Sequence, residues 1–169
     1  MSGNGLLAAP AKTQILHGEA AVDAVEAKEG PLTPNQKRVV MLEGYATGTY
    51  RDTVRTKAHP NGVLTSGVGQ TGPWLNRTFK EAYAAKERQA AGKIDKYKQL
   101  PNWVQGELVQ AHYRGDLRQS PTAVKLFNQG KYGQAATEFL NHDEYRNTDR
   151  QQIKDRMESV SSAMWSLQP

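Results

Sequence analysis

The chain of 169 residues has no cysteine. That removes disulfides and thiolate metal sites together and fits a protein made in a reducing compartment. No apolar run approaches the length of a membrane-spanning helix. Behind an uncharged Met1–Gly5, the segment Leu6–Ala11 lacks the basic start and sustained apolar stretch of a secretion signal. A target beyond a membrane would therefore have to be reached by other means. Charge of one sign is not gathered into blocks: 22 Lys and Arg are mixed with 17 Asp and Glu, for a net charge of +5. The mild positive field favours anionic partners. Aromatics make up only 8% of the chain, and no Lys/Arg stripe is interleaved with them, so a nucleic-acid-binding module has net charge alone behind it and no nucleic-acid partner is expected.

Several chemistries lack their motif. His17, His59, His112 and His142 include no pair at i, i+4 spacing and no HExxH context, so neither a metal site nor a cofactor is expected. Ser66 has no G-x-S-x-G around it. Gly67-Val68-Gly69 lacks the third glycine and following helix of a dinucleotide site and reads as a turn.

What remains is enough for one domain that needs no covalent staple. Up to about Gly30 the chain is rich in Ala, Gly and Glu, and Ile15, Leu16, Val22 and Val25 are too sparse for a core of their own. Residues 1–32 are therefore expected to form a flexible or docking arm, with a short helix near Glu19–Lys28, and residues 33–169 the folded domain. Thr33-Pro34-Asn35-Gln36 is a capping box with proline at the first helical position, and it opens a helix through Val39, Val40 and Leu42 that ends at Gly44. Short strands follow at Thr49–Arg51 and Val63–Thr65, joined by a loop with the turn signal Pro60-Asn61-Gly62. Thr78–Glu81 is a second capping box, opening a helix towards Tyr97. Further helices are expected over about Asn102–Tyr113, from Ser120-Pro121, around Tyr132–Leu140, and along the 3.6-residue stripe Ile153, Met157, Val160, Met164, Leu167. The class is α+β, mostly helical.

The stretch Glu43–Gly72 carries the chemistry. Glu43 falls in the last turn of a helix, where the negative end disfavours its ionised form and suits a carboxyl that donates a proton. Asp52 lies in a polar hairpin beside Arg51, a setting for a carboxylate that stays ionised. Two carboxylates in contrasting surroundings are what glycosidic cleavage uses. On spacing alone, two surface charges are the better account of the pair. Trp74 and Trp103 are candidates for stacking on sugar rings or for packing.

The order of short motifs adds to this. Glu43-Gly44, six residues, Arg51, then Asp52-Thr53 is followed by Thr65-Ser66-Gly67-Val68-Gly69-Gln70-Thr71-Gly72, then Thr78–Ala82, Leu100-Pro101 and Leu126–Tyr132. Over roughly Thr33–Leu167 the chain resembles the phage-type lysozymes, glycoside hydrolase family 24. The resemblance implies a two-lobed fold with a small β-hairpin lobe and a helical lobe. It also implies a phage-encoded muramidase that cleaves the β-1,4 bond between N-acetylmuramic acid and N-acetylglucosamine in peptidoglycan, as an endolysin or a virion-associated lysozyme acting at the cell wall. Glu43 would be the acid, Asp52 the anion and Thr65 the residue that holds the attacking water. The two carboxyls of an inverting enzyme stand roughly 6.5–9.5 Å apart. His59, Gln70, Tyr113 and Arg114 are expected to contact substrate, Gln70 standing where many relatives have His. Arg150 or Arg156 could pair with Glu43, and the arm could engage other virion proteins. The alternative function is a structural virion or adaptor protein that keeps the lysozyme fold without activity.

Overall fold

A computed structural model of the chain describes residues 12–53 and 57–169. Three short strands, β1 (Ile15–Leu16), β2 (Tyr45–Arg51) and β3 (Leu64–Gly67), form one antiparallel sheet in the order β1-β2-β3. Leu16 faces Tyr45 across the first pair, and Tyr50 faces Thr65 across the second. The second register shifts between Ala46 and Tyr50, an irregularity that bends β2. Gly48 lies in that interval, where a Cβ would come within 2.6 Å of Thr13 Oγ1.

Among the described residues there are also eight α-helices: α1 (Gly18–Glu29), α2 (Pro34–Glu43), α3 (Phe79–Lys93), α4 (Asn102–Arg114), α5 (Pro121–Asn128), α6 (Tyr132–Phe139), α7 (Asp143–Asn147) and α8 (Gln151–Trp165). Among the described residues, none is long and apolar enough to cross a membrane. Both capping boxes form: the Thr33 side chain accepts from the Gln36 N–H and the Thr78 side chain from the Glu81 N–H, each answered by the reciprocal bond. The α8 stripe is core, with Met157, Val160 and Met164 buried and Ile153 and Leu167 packed against them. α3 stops short of Tyr97 because another element ends it. Asn128 donates from Nδ2 to Lys93 O at 2.9 Å and accepts the Asp95 N–H at 3.0 Å, so a side chain satisfies the helix end.

The expected arm needs correction. Residues 1–11 lie outside the described residues, but residues 15–32 are integral to the fold. α1 buries Ala21, Val22 and Val25, and Leu32 is buried behind them. Glu29 Oε2 and Oε1 accept the N–H groups of Phe79 and Lys80 at 2.8 and 2.9 Å, capping α3 with a carboxylate where the helix dipole favours one. Few apolar residues suffice because α1 completes a core built by α2, α3 and β2 instead of enclosing its own.

α4 is the axis of the helical body. From Gly106 to His112 every residue is buried, with α2, α3 and α8 packed around it. The approach of α2 is close: a Cβ on Gly106 would lie 2.3 Å from Asn35 Oδ1. A helix so enclosed has no polar face to turn outward, so Glu107, Gln110 and His112 must find partners inside.

Candidate active site

Glu43 ends α2, and the chain leaves the helix through Gly44 at φ +78°, with its N–H bonded to Val40 O at 2.8 Å. A Cβ at Gly44 would lie 2.8 Å from Leu16 O. Glycine thus serves both the left-handed turn and the close passage of β1, which brings Ile15 to the wall beside Glu43.

Asp52 directly follows β2, with its N–H bonded to Val63 O at 2.9 Å. The returning strand passes close to Asp52. At Gly62, φ +77°, a Cβ would fall 1.8 Å from Asp52 O, and Arg51 Nη1 donates to Gly62 O at 3.2 Å. Thr65 lies on β3 opposite Tyr50, buried, with its hydroxyl donating to Val63 O at 3.2 Å. With its one proton engaged, that hydroxyl has only acceptor capacity left for a further partner.

Glu43, Asp52 and Thr65 line one cleft of about 290 Å³, together with Ile15, Tyr45, Tyr50, Gly69 and Thr71. Residues 22 positions apart in sequence are brought together because the sheet folds back over the end of α2. Gly69, at φ +66°, passes over the Glu43 side chain: a Cβ there would sit 3.4 Å from Glu43 Oε2. Burial pushes the Tyr50 phenol up, and the charges of Asp52 and Glu43 push it further, so both carboxylates bear on this ring.

The other carboxylate oxygen of Glu43 is tied down. Arg156 Nη2 on α8 donates to Glu43 Oε1 at 2.6 Å, and Arg156 Nε donates to Gln110 Oε1 at 2.6 Å. Gln110 Nε2 donates in turn to Glu107 Oε2 at 3.0 Å, and Arg38 Nε donates to Glu107 Oε1 at 2.9 Å. This line of polar groups, buried at Glu107, Gln110 and Arg156, runs from α2 through α4 and α8 back to the end of α2. Of the two arginines considered from sequence, Arg156 makes the pair, while Arg150 is exposed at the start of α8. Nothing local in the sequence marks the relay beyond polar Glu107 and Gln110 at i, i+3 spacing within an apolar helix.

Three of the four expected substrate contacts have other work. Gln70 is buried: its Oε1 accepts the Val68 N–H at 3.1 Å, and its Nε2 donates to Trp74 O and Arg77 O. It holds the turn together from inside and presents no group to the cleft. Arg114 bridges Asp116 at 2.6 Å and Glu144, joining the end of α4 to α7. Tyr113 Oη donates to Val68 O at 2.6 Å, and the ring packs on Phe79. It therefore anchors the glycine turn to α4. Burial pushes this phenol far up, with the Glu43 charge adding to it. His59 is exposed on the loop before Gly62 and is not among the cleft residues; residues 54–56 of the same loop lie outside those described. Trp74 carries Arg77 over its ring at 5.8 Å and Trp103 is exposed on the first turn of α4, so neither lines the cleft. Among the described residues no cluster of three or more His, Asp or Glu could hold a metal ion.

No protein-family model matches the chain, and no curated protein matches its sequence. Among solved structures, the crystal structure of the active form of the P1 phage endolysin Lyz is similar, with a TM-score of 0.58 at 12% identity, over 90% of this chain and 95% of that one. The helical body, the small antiparallel sheet against it and this likeness together give the chain an α+β, lysozyme-like fold.

Proposed function

We propose that the protein is a phage-encoded muramidase that hydrolyses the β-1,4 bond between N-acetylmuramic acid and N-acetylglucosamine in peptidoglycan, acting at the cell wall as an endolysin or a virion-associated lysozyme. The observation that carries the reading is the meeting of Glu43, Asp52 and Thr65 in one cleft on a fold similar to that of a phage endolysin. Arg156 holds Oε1 of Glu43, leaving Oε2 beside Gly69 as the oxygen that carries the proton. That proton passes to the glycosidic oxygen as its bond to the anomeric carbon breaks. Asp52 takes a proton from the water that attacks the same carbon, and the water's second O–H donates to Thr65 Oγ1, whose lone pairs are its free capacity. Positive charge on the sugar ring lies near ionised Asp52. Two roles from two carboxyls require different surroundings, and these differ: a helix end with a guanidinium for Glu43, a hairpin for Asp52.

Clearing of purified peptidoglycan by the wild type, Glu43→Gln and Asp52→Asn tests this. Each variant should lose about 10²–10⁴-fold while remaining folded. Turnover that survives Glu43→Gln removes the acid from the scheme. A wild type with no turnover on any wall would instead make the chain a structural protein of lysozyme fold.

A further inference from the structure

A second cavity, of about 580 Å³, opens between α3 and the C-terminal end of α4. Its charged lining is of one sign. Lys86 and Lys93 stand two helical turns apart on one face of α3, with Gln89 between them, and Arg118 follows the end of α4. None of these three cations makes an ion pair among the described residues. Arg114 also borders the cavity, but Asp116 and Glu144 neutralise it.

At the cavity wall lies His112, buried at 7% exposure. Its Nε2 meets Gln89 Oε1 at 2.9 Å, and its Nδ1 is buried without a hydrogen-bond partner. A buried polar atom left unpaired is destabilising, because it loses its bond to water and gains none in return. Here the orphan atom belongs to a titratable group that faces Lys86, Lys93 and Arg118 together. With Nε2 donating to Gln89, Nδ1 of the neutral ring is a bare acceptor. Burial first, and then those three cations, keep a proton off it. An anion among the cations would cancel their share and accept a hydrogen bond from Nδ1, so that Nδ1 takes a proton and donates it to the anion.

We propose that this cavity binds an oxyanion, a phosphate or carboxylate group, held by Lys86, Lys93 and Arg118 and completed by a hydrogen bond to His112 Nδ1. The cavity has room for far more than a single oxyanion, so the group is one end of a larger anionic molecule. The site stands apart from the muramidase reading, because none of Lys86, Lys93, Arg118 or His112 lines the cleft that holds Glu43.

The His112 ring resonances, followed by NMR at constant ionic strength in chloride, test the proposal with sulfate, inorganic phosphate and acetate as probes. Sulfate keeps its charge between pH 5.5 and 7.5, so any pH dependence of its binding belongs to the protein. The expected result is saturable shifts at His112 and sulfate affinity that rises several-fold from pH 7.5 to 5.5. Lys93→Gln and Arg118→Gln, both at exposed positions, should each weaken sulfate about tenfold, and His112→Gln should abolish the pH dependence. Tighter binding of phosphate and sulfate than acetate assigns a phosphate-bearing ligand; the reverse order assigns a carboxylate. Shifts no larger than those from chloride, or affinity unchanged in both Lys93→Gln and Arg118→Gln, would overturn the site.

Discussion

Replacing Arg156 with Met keeps an unbranched chain of similar reach and removes the guanidinium. Three hydrogen bonds go with it: the 2.6 Å bonds to Glu43 Oε1 and Gln110 Oε1, and a 3.3 Å bond to Gln110 O. The consequences at the two ends are unequal. Glu43 keeps 21% of its side chain exposed, so its freed carboxylate returns to water and that half of the loss is about 1 kcal/mol or less. Gln110 is wholly buried, and its Oε1 is left without a donor, at a cost of about 1–3 kcal/mol. Relief of the arginine's own desolvation offsets part of this. The net is a loss of about 2–3 kcal/mol, or roughly 5–10 °C in Tm for a domain of this size. Urea denaturation at pH 7 measures it. The double variant Arg156→Met, Gln110→Leu removes the orphaned oxygen and should regain about 1 kcal/mol over the single one, although Glu107 then loses its Gln110 donor. On the proposed muramidase reading, Arg156 is a positioning residue for Glu43, and its loss should lower kcat by more than tenfold with KM close to wild type. A single variant within 0.5 kcal/mol of wild type, or a double variant less stable than the single, would refute the assignment of the relay.

Acid should destabilise the fold through His112. Burial and the nearby cations lower its folded pKa to about 4 from the ordinary 6.5. Between those values the unfolded chain holds the extra proton, so stability falls as pH drops through this window, by about 2 kcal/mol from pH 7 to 4.5. Urea midpoints at the two pH values measure the loss, and His112→Gln should show a smaller one. If α1 is core rather than arm, Val25→Ala should cost about 2 kcal/mol in two lost methyl groups and a cavity. A tail residue would show no change in the same denaturation experiment.

The parts of the fold that were legible in the sequence are those fixed by neighbours in the chain. Thr33 with Gln36 and Thr78 with Glu81 are complete devices within four residues, and the α8 stripe records its own face. The 3.6-residue period sees one element at a time, which is why α1 reads as tail: Ala21, Val22 and Val25 become core only when α2 and β2 lie against them. α7, five residues long and started by His142 Nδ1 accepting the Glu144 N–H, has no period to read. Within the candidate site, the identity of Glu43 and Asp52 was local, but the partners that orient them were not. Glu43 and Arg156 stand 113 positions apart and Arg38 and Glu107 stand 69 apart. Gln70 and Arg114 were given to the cleft by the resemblance to the phage-type lysozymes, not by any chemistry of their own neighbours in the chain. The fold uses them to satisfy backbone carbonyls and a buried Asp116.

α4 explains why those assignments had to move. Being enclosed on all sides, it joins both halves of the cleft from behind. Through Gln110 it fixes Arg156, and through Arg156 one oxygen of Glu43. One turn later Tyr113 grips Val68 O and so sets the height of Gly69 above the other oxygen. A shift of α4 along its axis would therefore displace Glu43 and the turn covering it in the same direction, preserving their relation, whereas a rotation would separate them. Rotation is opposed by the close approach of Asn35 at Gly106 and by the Glu107–Arg38 pair. Gly106→Ala forces Asn35 away by adding a Cβ 2.3 Å from its Oδ1, and so perturbs the helix in the one sense the cleft does not tolerate.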